Sequence, residues 1–595
     1  MLVFVTLLLA HTLLVRASLQ DDIISALQNA TDCASCHAIL LPPLQALAHL
    51  GNDAFAGTIT SICQTLHLAD DDVCAGEMNR TGLIMAHSLR LFTVGGTTAT
   101  KFCEASFGLC QQPPVTPFTV QFPSPRPSTP QTFTSQGRTP FQVVHLSDVH
   151  IDRQYTVGAD ANCTKSICCR NYADQTGPIT EPAGPFGNHD CDSPSTLADS
   201  LVQAVNTIGA KAAFSIFTGD IVEGATWLIT KDEVSDDLAA WDVQMSQGIN
   251  ITVYPAIGTL LFLMPIAIKL MTMIYSYRKP RLRSCQQLLE KHYEYYPEPP
   301  MGVRHSECSV GGSTAAKQTH DNSGSYAVQV PGTNLRILSM NTQYWYKQNL
   351  WLYDRDEQVP DANGLFAFMV EQLQIAEDAS QRVWIIGHIP SGKADFAHDP
   401  DQFEIAYSDW ENRNADTADS ILFIGPALTP TSGNPAFKLY DVDPDTYEVM
   451  DMKVYMTNVS DPNFQTKPTW ELYYSARESY GPLVGPLGPT DSLNASFWHQ
   501  LTDVFATNET AFQLWNTRIS RGGAVSACTG ACKDTAICDM QSARSENNCV
   551  GALMVVVSMS MLTSARRMCR RLVFSSSAAR SEIPISRLTT ARDIA

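Results

Sequence analysis

Basic residues are scarce in this chain of 595 residues. Lys and Arg number 40 against 60 Asp and Glu, which gives a formal net charge of -20 and an isoelectric point near 5.1. The basic clusters RKPRLR and RRMCRR are short, and each follows an apolar run. Because nucleic acid repels a protein that lacks a basic surface stripe, this balance argues against a nucleic-acid partner.

Apolar runs long enough to cross a membrane are also lacking. The strongest internal candidate, TLLFLMPIAIKLMTMIY at residues 259–275, contains Pro265 and Lys269 and is only marginally long enough. The basic RKPRLR follows it, as it would follow a membrane span. We interpret residues 259–310 as a replacement at the level of the sequence, such as a retained intron, rather than as a transmembrane helix. The apolar run in the tail, residues 551–595, is too short to span.

The first eighteen residues, MLVFVTLLLAHTLLVRAS, form an apolar run that ends in small residues. This pattern predicts a secretory signal peptide, although the run lacks the usual positive charge at its start. Asn-x-Ser/Thr sequons follow, as is typical of a glycosylated lumenal or secreted chain. The candidate glycosylation sites are Asn29, Asn79, Asn162, Asn250, Asn458, Asn494 and Asn508.

Cysteine, in contrast, is plentiful, with seventeen in the chain. In an exported protein most of them should be paired, and the odd count leaves at least one unpaired, which we expect to be Cys569. Several lie between residues 31 and 110 among apolar residues with helical spacing, which predicts a small disulfide-bonded helical domain. Cys33 and Cys36 share one face of a helix and can both reach a later helix that carries Cys103. Spacing alone leaves many pairings open.

Beyond this region the composition changes twice, so we expect at least two domains. Residues 111–140 are rich in Pro, Ser and Thr, which favours an extended linker. Apolar runs then alternate with helix-period stretches, a pattern typical of α/β layers. The predicted strands are residues 141–146, 213–217 and 383–386, and the predicted helices are residues 195–208 and 365–376.

A short polar motif follows each of these strands: Ser-Asp-Val-His, Thr-Gly-Asp and Gly-His-Ile-Pro. Asp148 and His150 are two residues apart, so at a strand end both side chains should point the same way. Carboxylates can bridge two cations, and imidazole is a common nitrogen ligand for zinc-like ions. Each motif alone is also typical of an ordinary strand-end turn, but three in this order favour a metal site. The candidate ligands are Asp148, His150, Asp220 and His388.

With these motifs the chain resembles the calcineurin-like metallophosphoesterases, and specifically the acid sphingomyelinase family. That family joins a saposin B-type domain, a proline-rich linker and a dinuclear zinc phosphodiesterase domain in this order. The likeness covers residues 31–258 and much of 320–549, including the stretch FIGPALTP. The implied fold class is α+β multidomain: a small all-α disulfide-stapled saposin-like domain, then an α/β layered, calcineurin-like, four-layer β-sandwich.

The resemblance also implies the domain bounds and the disulfides. The expected parts are a signal peptide at 1–18, a saposin B-type domain at 31–112, a linker at 113–140, a metallophosphoesterase domain at 141–525 and a C-terminal region at 526–595. The implied pairs are Cys33–Cys110, Cys36–Cys103, Cys63–Cys74, Cys163–Cys168 and Cys169–Cys191, with Cys528–Cys532 and Cys538–Cys549 as further pairs.

For the site, the resemblance implies two zinc ions. Asp148 and His150 would bind one ion, Asp220 would bridge both, and His388 would bind the second. The implied reaction is hydrolysis of sphingomyelin to ceramide and phosphocholine in the extracellular space or a lysosome-like lumen. The saposin-like domain would engage the lipid at a membrane surface; a merely structural helical cap is the alternative interpretation.

The sequence departs from the family at two ligand motifs. A Gly-Asn-His motif should follow Gly258, where Thr259 stands instead, and Gly-His-x-His occurs nowhere in the chain. We interpret His398 as a loop residue, and the early Gly-Asn-His at residues 187–189 as coincidental. No histidine follows Asp220 closely, so no general acid can be named. Two alternatives therefore stay open: a catalytically impaired lipid-binding homologue, and a phosphodiesterase for soluble nucleotides.

Overall fold

The structure is a computed structural model of the chain. It describes residues 18–115, 118–125, 127–128, 131–258, 312–357, 359–392, 402–431, 433–523 and 525–549. The signal peptide apart from its last residue, the segment 259–310, His398 and the tail 551–595 lie outside these residues, and so does the apolar run 259–275. Within the described ranges every helix falls short of the length and apolar character that crossing a bilayer requires.

The N-terminal region is helical. Its elements are α1 (18–29), α2 (Cys33–Ser35), a π-helical turn (Cys36–Leu40), α3 (Leu41–His49), α4 (Asn52–Thr65), α5 (Asp71–Arg80), α6 (Gly82–Leu89) and α7 (Thr97–Phe107). Leu40, Leu47, Phe55 and Phe102 are fully buried in one apolar core between these helices. Apolar residues recurring every three to four positions therefore fold as an amphipathic helical cluster.

Disulfides cross-link the helices of this cluster. Cys33 pairs with Cys110, Cys36 with Cys103, and Cys63 with Cys74. The first bond joins α2 to the residues that follow α7, and the second joins the π-helical turn to α7, with Cα atoms 4.4 and 6.3 Å apart. These are the pairs that the family resemblance implies. In a region this small they supplement a limited apolar core.

The remaining residues form a mixed α/β structure. Its strands are β1 (Phe141–Leu146), β2 (Ala212–Phe217), β3 (Val253–Pro255), β4 (Tyr326–Gln329), β5 (Leu335–Ser339), β6 (Arg382–Ile386), β7 (Phe403–Tyr407), β8 (Ala418–Phe423), β9 (Ala436–Val442), β10 (Val449–Met456) and β11 (Glu471–Ser475). Its helices are α8 (Ser195–Ile208), α9 (Lys231–Val243), α10 (Gly312–Asp321), α11 (Leu365–Asp378), α12 (Ala476–Val484), α13 (Ala495–Thr507), α14 (Glu509–Ile519) and α15 (Ala531–Met540).

Six strands form the main sheet in the order β11-β10-β9-β1-β2-β3. The pairs β1–β2 and β2–β3 are parallel, whereas β9 pairs antiparallel with β1 and with β10. On one face Val144 joins an apolar cluster with Leu201 of α8, and on the other face Val143 joins a cluster with Ile337 of β5. Both faces of β1 are therefore buried, which agrees with its nearly continuous apolar sequence.

Two smaller sheets lie beside the main one. Strands β4, β5 and β6 form a three-stranded sheet in which β5 and β6 are parallel, and β7 pairs antiparallel with β8. The hydroxyls of Tyr326 and Ser339 donate to the Pro255 carbonyl at 2.9 and 3.0 Å, which links the second sheet to the edge of the first. The structure confirms a mixed α/β fold with a helical, disulfide-bonded N-terminal region.

The N-terminal helices contact the α/β part through α5. Arg80 Nε donates to the Ile229 carbonyl at 2.8 Å, and its Nη1 donates to the Trp227 carbonyl. The Thr226 hydroxyl donates to the carboxylate of Glu77, a side chain that is only 2% exposed. The buried carboxyl group of Glu77 thus has a hydrogen-bond partner from the other part of the chain.

Two further contacts join the helical region to the α/β part. The Lys165 ammonium contacts the carboxylates of Asp70, at 3.2 Å, and Asp72, and only 3% of the Lys165 side chain is exposed. At α7 the Thr98 hydroxyl donates to the Asp356 carbonyl at 2.7 Å. The helical region therefore packs on the α/β part at several separate points.

Candidate metal centre

Three loops at the ends of β1, β2 and β6 build the centre. Strands β1 and β2 are parallel neighbours, so their carboxyl ends meet at one edge of the sheet. The backbone N–H of Asp148 donates to the Gly219 carbonyl at 2.8 Å, and that of Val149 donates to the Asp220 carbonyl at 2.8 Å. These bonds fix the two aspartate-bearing loops against each other before any ligand is considered.

The backbone turns sharply at three of the candidate ligands. Asp148, His150 and Asp220 have φ of 48°, 37° and 59°, in the left-handed region that non-glycine residues seldom adopt. We expected the alternation of side chains along a strand to align Asp148 with His150. That reason was wrong, because strand β1 already ends at Leu146. Both residues have a left-handed backbone there, a type of local strain found at functional sites.

All four predicted ligands meet in one buried cluster. His388 Nε2 lies 3.1 Å from Asp220 Oδ2, while His150 Nε2 lies 3.6 Å from Asp148 Oδ1 and 3.9 Å from Asp220 Oδ2. Ligand atoms of Asp148, Asp220 and His388 all fall within 4.8 Å of one another. This spacing suits a divalent cation bound between them, because zinc takes such ligands at roughly 2.0–2.2 Å.

The two histidines are oriented by backbone carbonyls. His150 Nδ1 lies 2.8 Å from the Val222 carbonyl, and His388 Nδ1 lies 2.9 Å from the Thr218 carbonyl. A carbonyl only accepts, so each Nδ1 carries the proton and each Nε2 faces the carboxylates. A hydrogen bond of this kind is the usual support of a metal-binding histidine.

The charges of the cluster favour a cation at its centre. Burial lowers the pKa of His150, but the Asp148 hydrogen bond and the charges of Asp220 and Asp192 raise it to about 10. Burial also opposes ionisation of His388, whose pKa the Asp220 carboxylate raises to about 9. Burial raises the pKa of Asp220, yet the charges of His388 and His150 outweigh burial and lower this pKa to about 2. Two carboxylates here bind positive charge strongly, and a metal ion would supply it in place of protons. The residues present therefore fit a divalent metal.

Close backbone approach explains two glycines near Asp220. A Cβ on Gly258 would lie 2.1 Å from the backbone nitrogen of Asp220, and a Cβ on Gly219 would lie 2.8 Å from the Gly258 Cα. Both positions exclude any side chain because backbone atoms occupy the space. The segment that follows β3 thus lies directly against Asp220.

Asp192 is a neighbour of the centre that the sequence did not reveal. It is 2% exposed, and its carboxylate accepts from the backbone of Gly224 at 2.6 Å and from the Thr429 hydroxyl at 2.9 Å. The backbone N–H of Thr429 in turn contacts the Asp148 carbonyl at 3.2 Å. The only signal in the sequence is its place directly after Cys191, a residue of a predicted disulfide.

The early Gly-Asn-His motif has local partners. Asn188 Oδ1 accepts from the backbone of Gly184 at 3.0 Å, and His189 Nδ1 lies 3.4 Å from the Pro430 carbonyl. Both residues lie outside the cluster formed by Asp148, Asp220 and His388. The adjoining loop carries the disulfides Cys163–Cys168 and Cys169–Cys191, and the C-terminal region carries Cys528–Cys532 and Cys538–Cys549.

Large parts of the chain are similar to known proteins. Residues 416–554 match the family described as the acid sphingomyelin phosphodiesterase C-terminal region. Sphingomyelin phosphodiesterase 2 of Caenorhabditis elegans is 29% identical over 458 residues, which cover 68% of this chain and 69% of that protein. The human sphingomyelin phosphodiesterase is 27% identical over 443 residues, 68% of this chain and 64% of the human protein. Cyclic GMP-AMP phosphodiesterase SMPDL3A of Bos taurus is 24% identical over 384 residues, 57% of this chain and 76% of that protein.

Matches of this kind define a class of phosphoric diester hydrolases. The chain is similar to the acid sphingomyelinase family. It spans roughly two thirds of the length of the sphingomyelin phosphodiesterases that it resembles.

Proposed function

We propose that the chain is a secreted, zinc-dependent phosphodiesterase that hydrolyses sphingomyelin to ceramide and phosphocholine. The observation that carries the proposal is the convergence of the carboxylates of Asp148 and Asp220 with the imidazoles of His150 and His388 in one largely buried cluster. The named functions of the relatives support the choice of substrate. The catalytic general acid stays unassigned.

In this proposal Asp148 and His150 would hold one zinc ion, His388 would hold a second, and Asp220 would be shared by both. Ions bound there would supply an activated water and neutralise charge on the phosphoryl oxygens. The protein keeps the imidazole Nε2 atoms directed at the site through the Val222 and Thr218 carbonyls.

We further propose that the layers correspond to a calcineurin-like β-sandwich and the N-terminal helices to a saposin-like domain. The apolar clusters on both faces of the main sheet support the first assignment. The nested disulfides Cys33–Cys110 and Cys36–Cys103 support the second. A saposin-like domain packed on the α/β part would bring a lipid surface to the chain, so the proposed partner is a sphingolipid or another phosphodiester lipid at a membrane.

Secretion is part of the same proposal. Disulfides of the kind seen here persist in oxidising compartments. All sequon asparagines are exposed, as glycosylation requires.

Two other functions each have an observation in their favour. The chain lacks Gly-His-x-His and has Thr259 in place of the expected asparagine, which favours a catalytically impaired lipid-binding homologue. The likeness to the bovine cyclic GMP-AMP phosphodiesterase favours a soluble nucleotide substrate. The helical N-terminal region argues against the nucleotide, because a soluble substrate needs no membrane-facing domain.

Zinc content and hydrolysis separate these functions. The full chain, purified from metal-free buffer and reloaded with zinc, should bind about two ions and cleave sphingomyelin in vesicles faster than a soluble phosphodiester. Asp220→Asn should lose at least about 100-fold in hydrolysis and most of the bound zinc, because it removes the shared carboxylate. Asp199→Asn, which changes an exposed carboxylate on α8, is the matched control and should behave as wild type.

Each alternative has its own outcome. Tight vesicle binding without zinc and without hydrolysis would identify the impaired lipid-binding homologue and overturn the enzyme. Preferential cleavage of a cyclic dinucleotide would replace the lipid as substrate. A single bound ion together with hydrolysis would keep the reaction and correct the ion count.

A further inference from the structure

A file of buried polar side chains runs from β9 to the metal centre. His145 Nδ1 lies 2.9 Å from the Tyr440 hydroxyl, and His145 Nε2 lies 3.0 Å from the Thr218 hydroxyl. The Thr218 hydroxyl lies 2.7 Å from the Ser147 hydroxyl, which bonds to Asp148 Oδ2. All five side chains are at most 8% exposed. The function proposed above uses only the last of them.

The surroundings show that this file is closely packed. A Cβ on Gly425 would lie 2.7 Å from both His145 Nε2 and the Ser147 Cβ, so the glycine leaves room for these two side chains. Lys438, fully buried, donates to the Ile424 carbonyl at 2.7 Å. Burial and the nearby Lys438 charge lower the pKa of His145 to about 3, so the imidazole is neutral at ordinary pH.

The number of protons fixes the direction of every hydrogen bond. A hydroxyl has one proton to donate, and a carboxylate only accepts. Ser147 donates to Asp148, so it must accept from Thr218, and Thr218 must then accept from His145. His145 Nε2 therefore carries the proton of the neutral ring. Its Nδ1 is the acceptor, and the Tyr440 hydroxyl donates to it.

We infer that Tyr440, His145, Thr218 and Ser147 form a one-way hydrogen-bond chain that positions the metal ligand Asp148. Every donor points toward the carboxylate, so the bonds polarise one another in the same sense. Asp148 Oδ2 is held by Ser147, which leaves Oδ1 on the side of His150 Nε2, 3.6 Å away. His145 is then a positioning residue rather than a catalytic one. The inference rests on the proposed function, because the positioning of Asp148 matters only if Asp148 binds a metal.

Zinc affinity measured by chelator competition tests two bonds of the hydrogen-bond chain. Ser147→Ala removes the donor to Asp148, and Thr218→Val breaks the connection to His145 while keeping the side-chain shape. Each variant should bind zinc about 10- to 100-fold more weakly than wild type. Ser215→Ala removes a fully buried hydroxyl of β2 that is not part of the hydrogen-bond chain. This variant should keep the wild-type affinity for zinc. Thermal unfolding of the metal-free variants shows whether each one folds.

A second measurement uses the metal-free wild type alone. The ¹⁵N signals of labelled histidines, with His145→Gln to assign the resonance, should show the Nε2–H form of His145 without titration across neutral pH. An Nδ1–H form or a charged ring would overturn the chain whatever the metal does. Folded Ser147→Ala and Thr218→Val proteins with wild-type zinc affinity would overturn the positioning role alone. A wild type that binds no zinc would overturn the proposed function and the positioning role together, while the tautomer measurement would still decide the direction of the chain.

Discussion

Gly425 shows how a single atom can matter in this site. It lies in the stretch FIGPALTP, and the two atoms that a Cβ would meet belong to side chains of the buried hydrogen-bond chain. Gly425→Ala should lower the free energy of unfolding by about 1–3 kcal/mol, because neither neighbour can move without breaking a hydrogen bond. Chemical denaturation measures this loss. Gly177→Ala is the control, since nothing lies within 4 Å of its would-be Cβ.

The candidate ligands themselves could be found from sequence, whereas their geometry could not. Asp148, His150, Asp220 and His388 each follow an apolar strand, and that pattern is local. The partners of His145 are not local, because Tyr440 lies far along the chain on another strand. Hydrogen bonds between distant residues leave no periodic signal.

Among the elements, helices and strands with a strong apolar pattern were predicted closely. The helix at 195–208 has the predicted bounds, and the strands predicted at 213–217 and 383–386 each begin one residue earlier in the structure. The helix predicted at 365–376 continues to Asp378, where polar residues had hidden its end. Boundaries are set by capping and tertiary contacts, so apolar spacing marks them less well than it marks an element's existence.

The Cys169–Cys191 disulfide constrains the loop that precedes Asp192. It closes a loop of 22 residues, so replacing both cysteines by serine should cost about 3 kcal/mol of unfolding free energy. Zinc affinity should fall as well, because Asp192 follows the bond directly and holds Thr429 beside Asp148. The matched control is Cys528→Ser with Cys532→Ser, whose short loop should cost less, about 2 kcal/mol, and leave zinc affinity unchanged. Equal losses of zinc affinity in both double variants would contradict the role of Asp192.

At the scale of the whole molecule, the contact between the helical region and the α/β part should depend on pH. Burial raises the pKa of Glu77 above its ordinary value of 4.5, against the Thr226 hydrogen bond and the Arg80 charge, which lower it. The folded state therefore holds the proton more tightly than the unfolded state. This stabilisation is complete below pH about 4 and is lost as pH rises through the raised pKa.

Glu77→Gln tests this dependence because it keeps the shape and removes the ionisation. Between pH about 4 and about 7, the melting temperature of the wild type should fall more than that of the variant. Glu371→Gln, an exposed change on α11, should leave the wild-type dependence intact. Parallel curves for wild type and Glu77→Gln would show that Glu77 does not control it.

The several contacts between α5, α7 and the α/β part have a consequence for proteolysis. The linker is held at its far end, where the backbone of Gln136 donates to Asp445 at 2.9 Å and Arg138 forms an ion pair with the same carboxylate. Arg80, Lys165 and Thr98 hold the helical region independently of the linker. A protease that cuts between Cys110 and Ser135 would therefore produce two polypeptides that still migrate together under native conditions and separate only in denaturant.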